Sequence, residues 1–186
     1  KSLRGKLKVF LGMSAGVGKT CEMLSQARQL QTKGMDIVAG IIETHDRTET
    51  KDLLEGIELL PRRVVSHKGI EISEFDLDGA LKRYPQIILI DELAHTNAPQ
   101  SRHEKRYQDI IELLQAGIDV FTTLNIQHLE SRKETVEKIA GIPVRETVPD
   151  RILDLADSIE LVDLPPQILL KRPDEGTIYK GEAARR

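Results

Sequence analysis

Residues 6–34 commit this chain to one kind of local structure. A β-prone run, "KLKVFL" over residues 6–11, ends at Gly12, a glycine-rich turn closes on Gly18, Lys19 and Thr20, and Met23, Leu24, Ala27 and Leu30 then recur at helical spacing until Gly34. Strand, tight turn and helix make one βα unit, and such units return their strands parallel to one another. The alternation continues along the chain. "DIVAGIIET" (36–44), "QIILIDE" (86–92), "IDVFTTLN" (118–125) and "SIELVDL" (158–164) are further apolar runs. Between them lie helical patterns over about 76–83, 103–116 and 127–139, a strand or hairpin at 63–73, and a short helix after Pro149. Near-continuous apolar strands belong to a sheet covered on both faces. The expected fold is therefore one three-layer α/β domain with a mainly parallel sheet of about five strands, in the order 5-1-4-3-2.

The turn carries chemistry as well as topology. In the pattern G-x-x-x-x-G-K-[ST], glycine-rich backbone amides and a helix N-terminus point at phosphate oxygens, the lysine neutralises charge, and the hydroxyl ligates Mg2+. Gly18, Lys19 and Thr20 fit; Met13 stands where the first glycine belongs, Gly12 comes one residue early, and Gly16 offsets this within the turn. The phosphate-binding set read from this stretch is Gly16, Val17, Gly18, Lys19, Thr20 and Cys21, in a domain of P-loop NTPase type. "IILIDE" supplies the other half of such a site, placing Asp91 and Glu92 at the carboxyl end of a buried strand, where open α/β sheets collect ligands. Asp91 is suited to hold Mg2+ through a water, with Thr20 as the second metal-binding residue, and Glu92 to orient or deprotonate an attacking water as the candidate catalytic residue. Taken alone, an acidic pair at a strand end is ordinary solvated punctuation; the Gly-Lys-Thr turn raises its meaning.

Other polar groups fall at strand ends. Thr122, Thr123 and Asn125 are candidates to contact a γ-phosphate or its water if their strand lies between the loop strand and the Asp91 strand, against the alternative that they cap the next helix. Glu43, His45 and Arg47 are candidates for the same rim. Arg102 or Arg106, in "SRHEKR", would serve as an arginine finger in cis or in trans, although a charge run on a helix is usually its wet face. His45 and His95 belong to no metal-ligand spacing.

Charge and composition narrow the partners. Thirty acidic against twenty-seven basic residues give a net charge of -3, and aromatics make up 3% of the 186 residues, a poor basis for nucleic-acid binding. No run reaches the roughly 18 apolar residues of a membrane span, so no direct membrane insertion by this chain is expected. The single cysteine, Cys21, forms no intramolecular bridge, which fits a reducing cytoplasm.

Taken together, "GMSAGVGKT", "ETHDRTET", "LIDELAHTNAPQSRHEKRYQDIIELLQAGIDVFTTLNIQHLES" and "VRETVPDRILDLADSIELVDLPP" resemble the N-terminal cytoplasmic domain of the KdpD family of bacterial sensor histidine kinases. The likeness covers residues 5–180, leaving 181–186 as a tail. It implies ATP and Mg2+ as cofactors and a regulatory role within a larger inner-membrane protein, with this domain on the cytoplasmic side. That protein, with a response regulator, governs expression of a high-affinity potassium-uptake ATPase. The partners implied are the sensor's universal-stress-protein-like, membrane and kinase regions and, indirectly, the cognate response regulator. Members usually carry glycine where Asp46 and Gln100 stand, and leucine at Arg132. The alternative reading is a self-contained P-loop ATPase or small-molecule kinase.

Overall fold

The computed structural model describes residues 3–12, 18–141, 143–144 and 146–162. In chain order the strands and helices are β1 (Leu7–Gly12), α1 (Gly18–Thr32), β2 (Ile37–Ile41), α2 (Thr48–Leu54), β3 (Glu58–Leu59), β4 (Arg63–His67), β5 (Ile70–Glu74) and α3 (Leu77–Arg83). They continue with β6 (Ile87–Ile90), α4 (Arg106–Gln115), β7 (Asp119–Asn125), α5 (Glu130–Ala140) and β8 (Ser158–Val162), with 3-10 turns at Ile126–His128 and Asp150–Leu155. Six strands form one sheet in the order β3-β2-β6-β7-β1-β8, every pair parallel. The five expected strands occupy their expected order. The sixth, β3, is a two-residue addition outside β2, and β4 and β5 form a separate antiparallel hairpin. The tail at 181–186 lies outside the described residues.

Alternation along each strand sorts side chains onto the two faces. Phe10, Ala39, Ile87 and Leu89 pack with Met23, Leu24 and Ala27 of α1, and Leu53 and Leu54 of α2 cover the same side. Val9, Leu11, Ile88, Ile90 and Val120 face the opposite core, closed by Ala80 of α3 and by Ile110, Leu113 and Leu114 of α4. Both faces are thus covered, as the apolar strands require. Because residues 87 and 89 face α1, residue 91 falls on the same side at the strand's exit.

The helix expected over 103–116 is shorter at its start: α4 begins at Arg106, where the Gln108 side chain accepts from the Lys105 amide at 2.9 Å and fixes the first turn. Asp46 and Gln100 both adopt left-handed backbone, with φ of 57° and 69°. That conformation explains why glycine suits these positions. At the β3 side, Arg83 of α3 holds Asp36 through two bonds of 2.8 and 2.6 Å and Glu58 through bonds of 2.9 and 3.0 Å, tying helix, β2 and edge strand together.

Candidate functional site

The carboxyl ends of β6 and β7 converge on Asp91. Its carboxylate is buried at 1% exposure. Thr123 Oγ1 donates to Oδ1 at 2.7 Å, the Glu43 backbone amide to Oδ2 at 2.9 Å, and Thr20 Oγ1, from the first turn of α1, shares its one hydrogen between the two oxygens at 3.1 and 3.2 Å. Burial raises the carboxyl's pKa above the ordinary value, and these donors oppose the rise. The Asp91 carbonyl accepts from Arg106 Nη1 at 2.9 Å. Thr20 and Asp91 are 71 residues apart in sequence, so their contact is a product of the fold.

Thr123 also fixes the turn beyond Asp91. Its hydroxyl accepts from the Glu92 amide at 2.9 Å while its carbonyl accepts from the Leu93 amide at the same distance. Glu92 takes a left-handed φ of 58°, a backbone that costs about 1 kcal/mol or more for a residue with a Cβ and persists because neighbours over-determine it. Its carboxylate is half-exposed and 4.0 Å from His45 Nε2. Partial burial, and then the negative charges of Asp91 and Glu43, raise its pKa.

A cavity of about 490 Å³ opens here. It is lined by Lys19 and Thr20, by His45 and Arg47, by the Asp91–His95 turn and the end of β7, and by His128 and Glu146. Lys19 itself is buried at 4% exposure. The structure therefore brings together Lys19, Thr20, Asp91, Glu92, Thr123 and Asn125. Thr122 faces the other side of the sheet and does not line the cavity. Asn125 Oδ1 is a buried acceptor without a partner among the described residues. Of the rim candidates, His45 and Arg47 line the cavity, whereas Glu43 contributes its backbone amide and turns its carboxylate to Arg62 at 3.5 Å. Gly18 opens α1. Cys21 directs its sulfur to Thr50 Oγ1 at 3.6 Å on α2, and burial pushes its thiol pKa up. Gly16 and Val17 lie outside the described residues.

The expectation of an arginine finger in cis is corrected. Arg106 is 1% exposed and holds the Asp91 carbonyl from beneath, and burial depresses its pKa. Arg102 pairs with Asp78 at 2.8 Å and Glu112 at 3.1 Å, and neither arginine lines the cavity. Sequence reasoning also missed two polar links. His95, on the cavity wall, places Nε2 2.9 Å from Glu74 Oε1, and His128 Nδ1 lies 2.7 Å from the Glu146 carbonyl. Neither partner is local, so no spacing rule could have paired them.

Comparison with known proteins places this architecture. Residues 3–186 match the family model described as the osmosensitive K+ channel His kinase sensor domain, KdpD. The sensor protein KdpD of Escherichia coli (strain K12) is 58% identical over 183 residues, covering 98% of this chain and 20% of that protein. That of Clostridium acetobutylicum is 52% identical over 183 residues, with coverage of 98% and 20%. That of Mycobacterium tuberculosis (strain H37Rv) is 48% identical over 179 residues, with coverage of 96% and 21%. The chain thus spans about one fifth of the length of these curated relatives. With the family model matching residues 3–186, a span that holds the α/β sheet and the residues lining the cavity, the chain belongs to the KdpD family of osmosensitive K+ channel histidine-kinase sensor domains.

Proposed function

We propose that this chain is a Mg-ATP-binding regulatory module of a two-component sensor histidine kinase that controls expression of a potassium-uptake ATPase. The observation that carries the reading is the bond from Thr20, at the start of α1, to the buried carboxylate of Asp91, both residues lining the cavity. A hydroxyl and a buried carboxylate side by side are hard oxygen donors of the kind Mg2+ takes. A cation there would also relieve a carboxylate whose charge burial disfavours. Thr20 and Asp91 would hold the metal, and Gly16, Val17, Gly18, Lys19 and Cys21 the phosphates. When bound, Mg2+ would supply charge neutralisation at the phosphates. Lys19 adds a second positive charge, Thr123 holds Asp91 in place, and Arg106 fixes the turn that carries Glu92.

In this reading the output is a conformation. Nucleotide occupancy biases how the domain packs on the universal-stress-protein-like, membrane and kinase regions of the full sensor, and through them what reaches the response regulator. The parent protein would sit in the bacterial inner membrane with this domain on the cytoplasmic side; among the described residues no helix is long and apolar enough to cross a membrane. Glu92, at the cavity with a raised pKa, favours a second reading as a P-loop ATPase or small-molecule kinase.

Calorimetric titration of the chain with ATP, ADP and GTP, with and without Mg2+, tests the binding. Mg-ATP at 100 times its dissociation constant should add about 2.7 kcal/mol to stability, and Lys19→Ala should remove most of that gain. Equal thermal shifts in wild type and Lys19→Ala would reject the site.

A further inference from the structure

A pocket of about 180 Å³ shares no lining residue with the Asp91 cavity and is many times larger than one water needs. Its lining includes Phe75 and Leu77 from the turn into α3, Asn97 and Ser101 from the loop between β6 and α4, and Asp109 from α4. Asp109 is 5% exposed and makes no ion pair among the described residues. Its Oδ2 accepts from Asn97 Nδ2 at 3.0 Å, while Oδ1 has no donor among the described residues. Burial raises its pKa, opposed by the Asn97 bond and by the charges of His103, Arg106 and Arg102. A buried carboxylate with one oxygen unbonded is costly unless something supplies the missing donor and charge. Asn97 has no further donor to give. It spends both amide hydrogens, on the His103 carbonyl at 2.9 Å and on Asp109, and its own Oδ1 is a buried acceptor without a partner among the described residues. The two arginines in the lining are committed as well: Arg63 Nη2 donates to Ser101 Oγ at 2.7 Å, and Arg102 pairs with Asp78 and Glu112. The pocket thus offers Asp109 an unanswered acceptor and a negative charge beside two apolar side chains.

We propose that this pocket binds a small primary alkylammonium ion, with an ammonium N–H on Asp109 Oδ1 and the alkyl chain against Leu77 and Phe75. The site is independent of the nucleotide-binding reading. Its chemistry selects among cations. Oxygen-ligated Ca2+ takes six or more ligands, and among the described residues no group of three or more His, Cys, Asp or Glu could hold a metal ion. A guanidinium matches both oxygens of a carboxylate with its planar fork, but Oδ2 is already taken by Asn97; an ammonium, a compact charge with rotatable donors, suits the one oxygen left. A quaternary ammonium has no N–H to give, and Phe75 alone makes no aromatic cage. Leu77 and Phe75, 7% and 3% exposed, favour a chain of methylenes over bare ammonium.

The test titrates the chain, at fixed ionic strength and without nucleotide, with butylammonium chloride, and in parallel with ammonium chloride, tetramethylammonium chloride and 1-butanol, following backbone amide shifts by NMR. Butylammonium should bind saturably and move the amides of residues 75–78, 97–102 and 109, and the other three should bind at least about tenfold more weakly, each lacking the chain, the N–H donors or the charge. Asp109→Asn, which keeps the shape and removes the charge, should weaken butylammonium by about tenfold or more, the loss of one bond between charged groups. Should Asp109→Asn fail to fold, the comparison of the four probes on wild type carries the test. Butylammonium that does not saturate, that binds no better than 1-butanol, or whose shifts fall away from these residues would overturn the inference, as would undiminished affinity in a folded Asp109→Asn. None of these results touches the nucleotide reading, which the ATP titration above decides.

Discussion

Two adjacent threonines on β7 offer a controlled measurement of how the Asp91 site is held. Thr123 donates to Asp91 at 2.7 Å and accepts from the Glu92 amide at 2.9 Å. Thr122, its neighbour, is 0% exposed on the opposite face, and its hydroxyl has no partner among the described residues. Thr→Val keeps shape and replaces one hydroxyl by a methyl, so the two substitutions differ in hydrogen bonding alone. Thr123→Val removes a bond to a buried carboxylate, about 2 kcal/mol, and leaves the Glu92 amide without its acceptor, for a total of about 2–3 kcal/mol. Thr122→Val removes a buried hydroxyl that gains nothing from its position and should be neutral or stabilising by up to about 1 kcal/mol. Urea unfolding in EDTA without nucleotide reads the difference as a shift in midpoint at constant slope, and for a domain this size Thr123→Val should lower Tm by roughly 5–10 °C. Equal effects at the two positions, or a neutral Thr123→Val, would refute the account of Asp91 as a carboxylate held in place by its donors.

Three further outcomes follow from the structure. Incubated with γ-labelled Mg-ATP, the chain should release phosphate far more slowly than about 1 per second and acquire no phosphohistidine, since Arg102 and Arg106 are both held in other bonds and neither lines the cavity; faster turnover abolished by Glu92→Gln would favour the enzyme reading. Arg83 holds the pKa values of Asp36 and Glu58 below their ordinary ones, so its contribution to stability should be complete above about pH 5 and lost as pH falls through the depressed folded values. Arg83→Gln should flatten that acid limb, measured by urea midpoints across the range. Gln100→Gly, at φ 69°, should stabilise by about 0.5 kcal/mol, relief of the left-handed backbone outweighing the added freedom of the unfolded chain, with Asp46→Gly giving less because aspartate tolerates that region better.

The strands that place the site were legible because they are buried on both faces: "IILI" and "KVFL" admit no other reading, and their right-handed crossovers leave few orders to choose among. What escaped had weaker signals. β3 is two exposed residues defined only by pairing with β2, and α2, "TETKDLL", buries Thr50 alone and carries too few apolar residues for a period to show. Arg106 looked like part of a wet helix face because burial of an arginine under a strand end depends on what the neighbouring turn presents, and here that is the Asp91 carbonyl. The choice among Thr122, Thr123 and Asn125 was within reach: Phe121 packs on the α1 side, and a period of two carries Thr123 and Asn125 with it. Glu74 was not, since it reaches His95 from 21 residues upstream by way of a hairpin.

The position of β1 in the sheet has a consequence for synthesis. Among the described residues Leu7–Gly12 pairs with β7 and β8 alone, so Leu7 meets Val120 and Lys8 meets Ser158. The first strand of this sheet to leave the ribosome is therefore among the last to find a neighbour. At 5–20 residues per second, roughly 6–20 s separate Leu7 from Val120 at the peptidyl-transferase centre. During that interval Leu7, Val9, Phe10 and Leu11, all buried in the finished fold, have no sheet to enter, while β2 and β6 can already pair with each other. The segment that leads into the Gly-Lys-Thr turn is thus the one most in need of protection by chaperones as it emerges, and slow codons before residue 119 would lengthen its exposure.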